Sequence, residues 1–267
     1  MKALTGGRIV AGRTWLEGAL LFDDRILDVA SEGEIPEEAE RIEAGGAWVV
    51  PGFVDVHVHG GCGSDTMDAD SRSLDTIAAG LTAHGVTAFC PTTMTMSPGR
   101  VEAALDAIKG VMGAGGDGAV VLGGHLEGPF ISPDRVGAQD GAFVRRPDPE
   151  LVRRRRDVLR LVTFAPEEDE CGIFLRALLE AGVVPSVGHS RATYEQAMQA
   201  FRRGAESTTH LFNGMPPFHH RTPGVAGAAL DADVFCELIA DGVHSHPSVF
   251  RLVHAMKGLD RVVLVSD

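Results

Sequence analysis

The sequence predicts a (β/α)8 TIM-like barrel preceded by a small β-module, and three observations predict it. From residue 51 onward, apolar or β-branched runs alternate with amphipathic segments. Strand followed by helix, repeated, is the pattern of a parallel sheet covered by helices. Eight such runs are present, the number that closes a barrel. The helical segments also end in glycine, the residue best suited to a helix C-terminus.

The elements follow in chain order. Residues 1–50 contain the short β-like runs GRIVAG, GALLFDDRILDVA and AWVV, separated by glycines and acidic turns, and are expected to form a small β-sandwich module. Residues 51–267 are expected to form the barrel. Its strands are FVDVHVH, VTAFCPTT, VVLGGHLEG, LVTFAPE, VVPSVGHS, AESTTH, VFCELIADGVH and VVLVSD. Between several of them, SLDTIAAGLTAHG, RVEAALDAIKGVMG, GIFLRALLEAG and TYEQAMQAFRRG supply helices. The basic run Arg153 to Arg156, in PELVRRRRDVLRL, reads as a solvated helix face rather than a binding patch.

Composition removes several classes of function. With 267 residues, 44% of them hydrophobic, and 33 glycines, the chain suits a compact α/β protein that buries a sizeable core. No apolar run approaches the roughly 18 residues of a membrane span. Charges run through MKALTGGRIVAGRTWLEGALL with no signal-peptide pattern, so a cytoplasmic location is expected. A net charge of −13 repels nucleic acid and anionic membrane, so an anionic substrate would need cations placed locally. The cysteines, Cys62, Cys90, Cys171 and Cys236, are scattered with no CxxC pair, which fits free thiols and argues against a thiolate zinc site.

In such a barrel the chemistry lies at the C-terminal ends of the strands. His57 and His59 end the first strand, His125 and Glu127 the third, His189 the fifth and His210 the sixth. The seventh runs to Asp241 and His244, and Asp267 ends the eighth. In PGFVDVHVHG the two histidines stand at i and i+2, on one face of a strand. Taken alone, the pair divides evenly between hydrogen-bonded core imidazoles and metal ligands. Joined by the other strand ends, neutral imidazoles and a carboxylate at one mouth make a site for a borderline divalent ion such as zinc or iron.

These same residues carry a resemblance. PGFVDVHVHG, GGHLEGPFISP, TFAPE, VGHS, THLFNGMPPFHHRTPG, IADGVH and VLVSD together resemble the amidohydrolase superfamily, and within it the N-acetylglucosamine-6-phosphate deacetylases. The likeness runs from about residue 5 to residue 267; HLEGPF, and HLFNGM followed by RTPG, are its most specific parts. The resemblance implies hydrolysis of N-acetyl-D-glucosamine 6-phosphate (GlcNAc-6-phosphate) to glucosamine 6-phosphate and acetate. It implies Glu127, His189 and His210 as metal ligands, and His57 and His59 as ligands of a second ion. Some members lack this pair and work with one metal, so one or two ions per subunit are implied. Asp267 is implied as the proton shuttle. Arg221 and His244, with Asn213 and the Gly214 amide, are implied for the phosphate, Arg221 reaching across from a neighbouring subunit of a homodimer. Gln139 stands where some relatives have histidine and is expected to donate its amide to the substrate carbonyl. His125 is expected to shape its strand end, His219 and His220 to lie in a solvated loop, and His84 and His254 to serve surface or packing roles.

Lysine usage separates this chain from other branches of the superfamily. Many binuclear relatives bridge two metals with a carboxylated lysine after the fourth strand, but here the lysines are Lys2, Lys109 and Lys257, none at a strand end. Glu127 is the carboxylate placed for that task, which sets the chain apart from hydantoinase-like and dihydroorotase-like enzymes. The family continues past the eighth strand with a helix and strands that return to the N-terminal module. The chain is therefore expected to be truncated after that strand, leaving apolar faces uncovered and Asp267 carrying the terminal carboxylate. Two other readings compete: a metal-dependent amidohydrolase for cyclic amides or N-acyl amino acids, and a metal- or sugar-phosphate-binding remnant without activity.

Overall fold

The run GALLFDDRILDVA breaks in two, because adjacent acidic residues favour a solvated chain reversal over a continued strand. The computed structural model, which describes residues 1–113 and 116–267, divides into two units, Met1–Gly52 and Phe53–Asp267. In the first unit β1 (Lys2–Ala11) pairs antiparallel with β2 (Thr14–Phe22), which pairs with β3 (Ile26–Ala30) across the turn at Asp23 and Asp24. β4 (Glu40–Glu43) and β5 (Trp48–Val49) run parallel to β1. The described residues of this module thus form one mixed sheet where a sandwich was expected. Its buried apolar cluster is small: Ala3, Ala19, Leu21, Ala30 and Ile35.

The second unit is the barrel. Its strands are β6 (Phe53–Val58), β7 (Val86–Thr93), β8 (Gly124–Glu127), β9 (Leu159–Phe164), β10 (Val184–Val187), β11 (Ser207–Thr208), β12 (Phe235–Ile239) and β13 (Val262–Val265). Each pairs in parallel with the next. The ring is drawn shut where the Asp267 N–H donates to the His57 carbonyl at 2.9 Å. The third predicted strand is interrupted at Leu122 and Gly123, leaving Val120–Val121 as a separate short partner of β7. Gly123 sits at φ +143° with the Val158 carbonyl 2.5 Å from where a Cβ would stand, so the chain turns inward there by a route open to glycine.

Helices cover the barrel: α1 (Ser71–Thr82), α2 (Pro98–Val111), α3 (Pro149–Arg155), α4 (Ile173–Ala181), α5 (Tyr194–Arg202), α6 (Gly224–Asp231) and α7 (Pro247–Lys257). α4 ends on the left-handed Gly182, whose N–H returns to Leu178 and Leu179, and α5 begins with a reciprocal box between Thr193 and Gln196. The basic face of α3 is answered by carboxylates of α2, Arg155 bonding Glu102 and Asp106. Phe89, Phe130, Phe164, Phe174, Leu105 and Ile108 are fully buried, each contributing about 1.5–3 kcal/mol. Inside the barrel mouth the lining turns polar. The Ser186, Thr209 and Thr163 hydroxyls form a chain of 2.7 Å bonds that reaches His125 Nε2. Among the described residues no helix is long and apolar enough to cross a membrane.

Candidate metal centre

Most of the donors come from the C-terminal ends of β6, β8, β10, β11 and β13. His57 and His59, on the same face of the end of β6, bring their Nε2 atoms to 3.3 Å from each other. Glu127, at the end of β8, lies between them and two further imidazoles. Its Oε1 is 3.1 Å from His189 Nε2, 3.0 Å from His210 Nε2 and 3.5 Å from His57 Nε2, and its Oε2 is 3.1 Å from His59 Nε2. His189 and His210 bring their own Nε2 atoms to 3.1 Å. Asp267 Oδ1 lies 3.4 Å from both His57 and His59, its side chain 16% exposed at the rim. Three donor sets result: Glu127 with His189 and His210, His57 with His59 and Asp267, and the fully buried His57, His125 and Glu237, in which both His125 ring nitrogens are already bonded.

The protons identify what this arrangement needs. His57 Nδ1 faces Glu237 Oε2 at 3.1 Å, His59 Nδ1 the Thr92 carbonyl at 3.1 Å, and His189 Nδ1 the Arg135 carbonyl at 2.7 Å. Each acceptor holds the ring hydrogen on Nδ1 and leaves Nε2 as a bare lone pair. Those lone pairs face one another and a carboxylate, which is repulsive unless a cation lies among them. In a bare site the cation is a proton. Burial alone would pull the His57 imidazole down, but Glu127 and then Glu237 hold it well above its ordinary value. His59 is raised to about 9 against the same burial effect by Asp267 and Glu127. Burial would push the Glu127 carboxyl up, yet His57, His189 and His210 hold it well below the usual range. Asp267 is lowered too, His59 and His57 outweighing burial. A divalent ion answers the same field with the same donors, so the residues fit a metal.

The backbone is bent to reach this geometry. His189 (φ 46°), His210 (φ 31°) and Asp267 (φ 40°) all lie in the left-handed region, which non-glycine residues enter at a cost of about 1–3 kcal/mol. Three of the site residues bear that strain at strand ends, where sites of this fold lie.

Other expected residues fall in different places. Gln139 is buried, but its amide donates to Glu127 Oε2 at 2.5 Å while its carbonyl accepts from the Thr95 N–H, so it braces the carboxylate. Gly214 lies against His189, whose Nδ1 is 3.1 Å from the position of a Cβ, and Asn213 donates to the His210 carbonyl at 3.3 Å. Arg221 is exposed, at a cleft of about 540 Å³ also lined by Arg191, Tyr194, His219 and Thr222. His244 is exposed as well: β12 ends at Ile239, and His244 folds back onto Asp241 at 2.7 Å, pulling the Asp241 carboxyl down to about 2. His125 is fully buried, Nδ1 on the Val56 carbonyl and Nε2 on Thr163, with burial and then the His57 charge pushing it down to about 4. His219 and His220 stack on each other in the exposed loop, while His84 is exposed and His254 lies in α7.

Sequence reasoning missed Glu237 and Asp55. Asp55 accepts the His57 N–H at 3.1 Å and is buried beneath the pair. A carboxylate inside an apolar strand run, as in FVDVHVH and VFCELIA, was the available signal, since buried charges are rare without a partner.

Comparison with known proteins settles the family. A model of the amidohydrolase family matches residues 48–266. The chain belongs to the amidohydrolase family. It is 40% identical over 254 residues to the N-acetylglucosamine-6-phosphate deacetylase of Bacillus subtilis, covering 92% of this chain and 64% of that one. It is 36% identical to an N-acetylgalactosamine-6-phosphate deacetylase of Escherichia coli O157:H7, covering 99% and 70%. Among solved structures, an N-acetyl-D-glucosamine-6-phosphate deacetylase mutant from Mycobacterium smegmatis in complex with N-acetyl-D-glucosamine-6-phosphate superposes with a TM-score of 0.90 at 36% identity, covering 99% of this chain and 70% of that one. The chain therefore spans about two thirds of the length of these family members.

Proposed function

We propose that this chain carries the active site of a metal-dependent deacetylase that hydrolyses GlcNAc-6-phosphate to D-glucosamine 6-phosphate and acetate. The observation that carries the reading is the convergence of four imidazole Nε2 atoms on Glu127, with Asp267 at the open side. Glu127, His189 and His210 would hold one ion, zinc or iron, and His57 and His59 a second. When bound, the ion polarises the acetamide carbonyl and lowers the pKa of the attacking water.

The chain's own groups do the rest. Asp267, ionised and at the rim, accepts a proton from the attacking water and passes it to the departing amine nitrogen. Gln139 holds the Glu127 carboxylate in place, and in this reading its amide also donates to the substrate carbonyl. Arg221 and His244, with Asn213 and the Gly214 amide, bind the 6-phosphate; an arginine–phosphate pair contributes about 1.5–3 kcal/mol. The exposure of Arg221 suits a homodimer in which it serves the neighbouring subunit's site. Scattered free cysteines suit the cytoplasm.

The test is acetate release by the zinc-loaded chain from GlcNAc-6-phosphate, its galacto epimer and unphosphorylated GlcNAc. The reading expects the gluco 6-phosphate to be fastest. Equal turnover of GlcNAc would remove the phosphate requirement and the assignment with it. Faster turnover of the galacto epimer would reassign the substrate toward that of the E. coli relative. Bound metal with no acetate release from any of the three would favour a binding protein.

A further inference from the structure

Glu237 is a carboxylate with no room to be a surface group. It lies in β12 within the apolar run VFCELIA and is fully buried. Its Oε2 accepts two hydrogen bonds, from the His57 ring at 3.1 Å and from the His210 backbone N–H at 3.2 Å. One oxygen thus holds a residue from each of the two sets that are proposed to take an ion. The backbone of Glu237 joins in, its carbonyl accepting the Leu211 N–H at 2.8 Å. Between them, side chain and main chain fasten the His210–Leu211 turn, where His210 is held in the left-handed region.

The neighbours leave Glu237 to this task. His125, edge-on to His57 with ring centroids 4.6 Å apart, already has both ring nitrogens bonded, to the Val56 carbonyl and to Thr163. Glu237 Oε1 is buried with no hydrogen-bond partner among the described residues. A buried carboxylate with an idle oxygen is a poor stabiliser, and apolar residues of similar volume commonly replace a whole buried pair at no loss, whereas removing one partner leaves the other uncompensated. What an apolar residue cannot do is keep the hydrogen on His57 Nδ1, leaving Nε2 free, while bracing His210. An acceptor on the far nitrogen of a ligating histidine fixes its orientation and raises its basicity.

Resting on the metal reading above, we propose that Glu237 is a positioning residue that couples the two halves of the metal centre, orienting His57 through its ring and His210 through its backbone. The test uses the full chain as Glu237→Gln and Glu237→Leu, loaded with zinc and dialysed, with metal content by mass spectrometry and affinity by competition with a chromophoric chelator. Glutamine keeps an acceptor oxygen and should retain the parent stoichiometry with affinity weakened about tenfold; leucine should lose an ion or weaken by about 100-fold, outer partners of ligands being worth that range. Melting of the metal-free proteins separates a folding role: Glu237→Leu, which leaves the buried His57 ring and the His210 N–H unpaired, should melt below the metal-free parent, whereas Glu237→Gln, which keeps an acceptor oxygen, should melt close to it. Parent-like stoichiometry and affinity in both variants would overturn the proposal, as would a glutamine variant as impaired as leucine or a metal-free glutamine variant that melts well below its parent. Should the leucine variant not fold, the glutamine affinity decides alone: about tenfold weaker supports, unchanged overturns. A parent chain that binds no zinc would instead refute the underlying metal reading.

Discussion

Glu127 is the residue on which the site turns, since it touches four imidazoles at 3.0–3.5 Å. Glu127→Gln should lose bound metal and activity together, because a neutral amide cannot balance the ion's charge; full metal occupancy in that variant, measured by elemental analysis, would refute its role. Arg221→Ala should lower kcat/KM for GlcNAc-6-phosphate by about tenfold or more while hardly changing the slow rate on GlcNAc. Asp267→Asn should differ in kind, lowering kcat by about 100-fold or more with the ion of Glu127, His189 and His210 retained, as expected if it serves proton transfer rather than that site's binding. Equal slowing of both sugars by Arg221→Ala would assign that arginine to fold or assembly. At this scale His57, His59 and His189 were legible in sequence because each follows an apolar run, with the β6 pair spaced to share one face, while His210, after the polar AESTT, was legible only from its place in the strand–helix alternation. Glu237 and the carbonyls of Thr92 and Arg135, which fix the imidazole hydrogens, were not legible. They come from other strands and loops, 33 to 180 residues away in sequence.

The strand ends carry packing demands as tight as their chemistry. Gly188, between β10 and His189, has Thr209 Cβ and Thr163 Cγ2 only 2.7 and 2.8 Å from where a Cβ would stand. Gly188→Ala should therefore push the polar interior apart, costing about 1–3 kcal/mol in urea unfolding, and should weaken zinc binding through His189. Unchanged stability would show that the barrel mouth yields more easily than its packing indicates. The strands were legible where composition changes sharply: VTAFCPTT is β7 to the residue. Two boundaries were not. VVLGGHLEG breaks at Gly123 because of a close backbone approach from the neighbouring strand, and VFCELIADGVH ends at Ile239 because Asp241 captures the next two backbone N–H groups after Gly242. Both causes are local hydrogen-bond or steric events that hydrophobic periodicity does not register.

Across the whole molecule the thiols give a check on burial that is independent of metal. Cys62 and Cys171 are exposed, while Cys90 and Cys236 are buried, and burial pushes the Cys90 thiol up to about 12. A disulfide reagent at pH 8 should therefore modify two thiols quickly and the other two only on unfolding; four fast thiols would contradict the core as described. The sign of the linkage follows. The folded state keeps Cys90 protonated where the unfolded chain ionises near 9, so its contribution is intact below pH 9 and is lost as pH rises from there toward 12. The central claim is that Glu127, His189 and His210 converge to hold a metal. Its most direct measurement is anomalous X-ray scattering at the zinc edge from zinc-loaded crystals. The account predicts a peak at about 2.0–2.2 Å from Glu127 Oε1, His189 Nε2 and His210 Nε2; zinc-loaded crystals with no anomalous peak among those three atoms would contradict it.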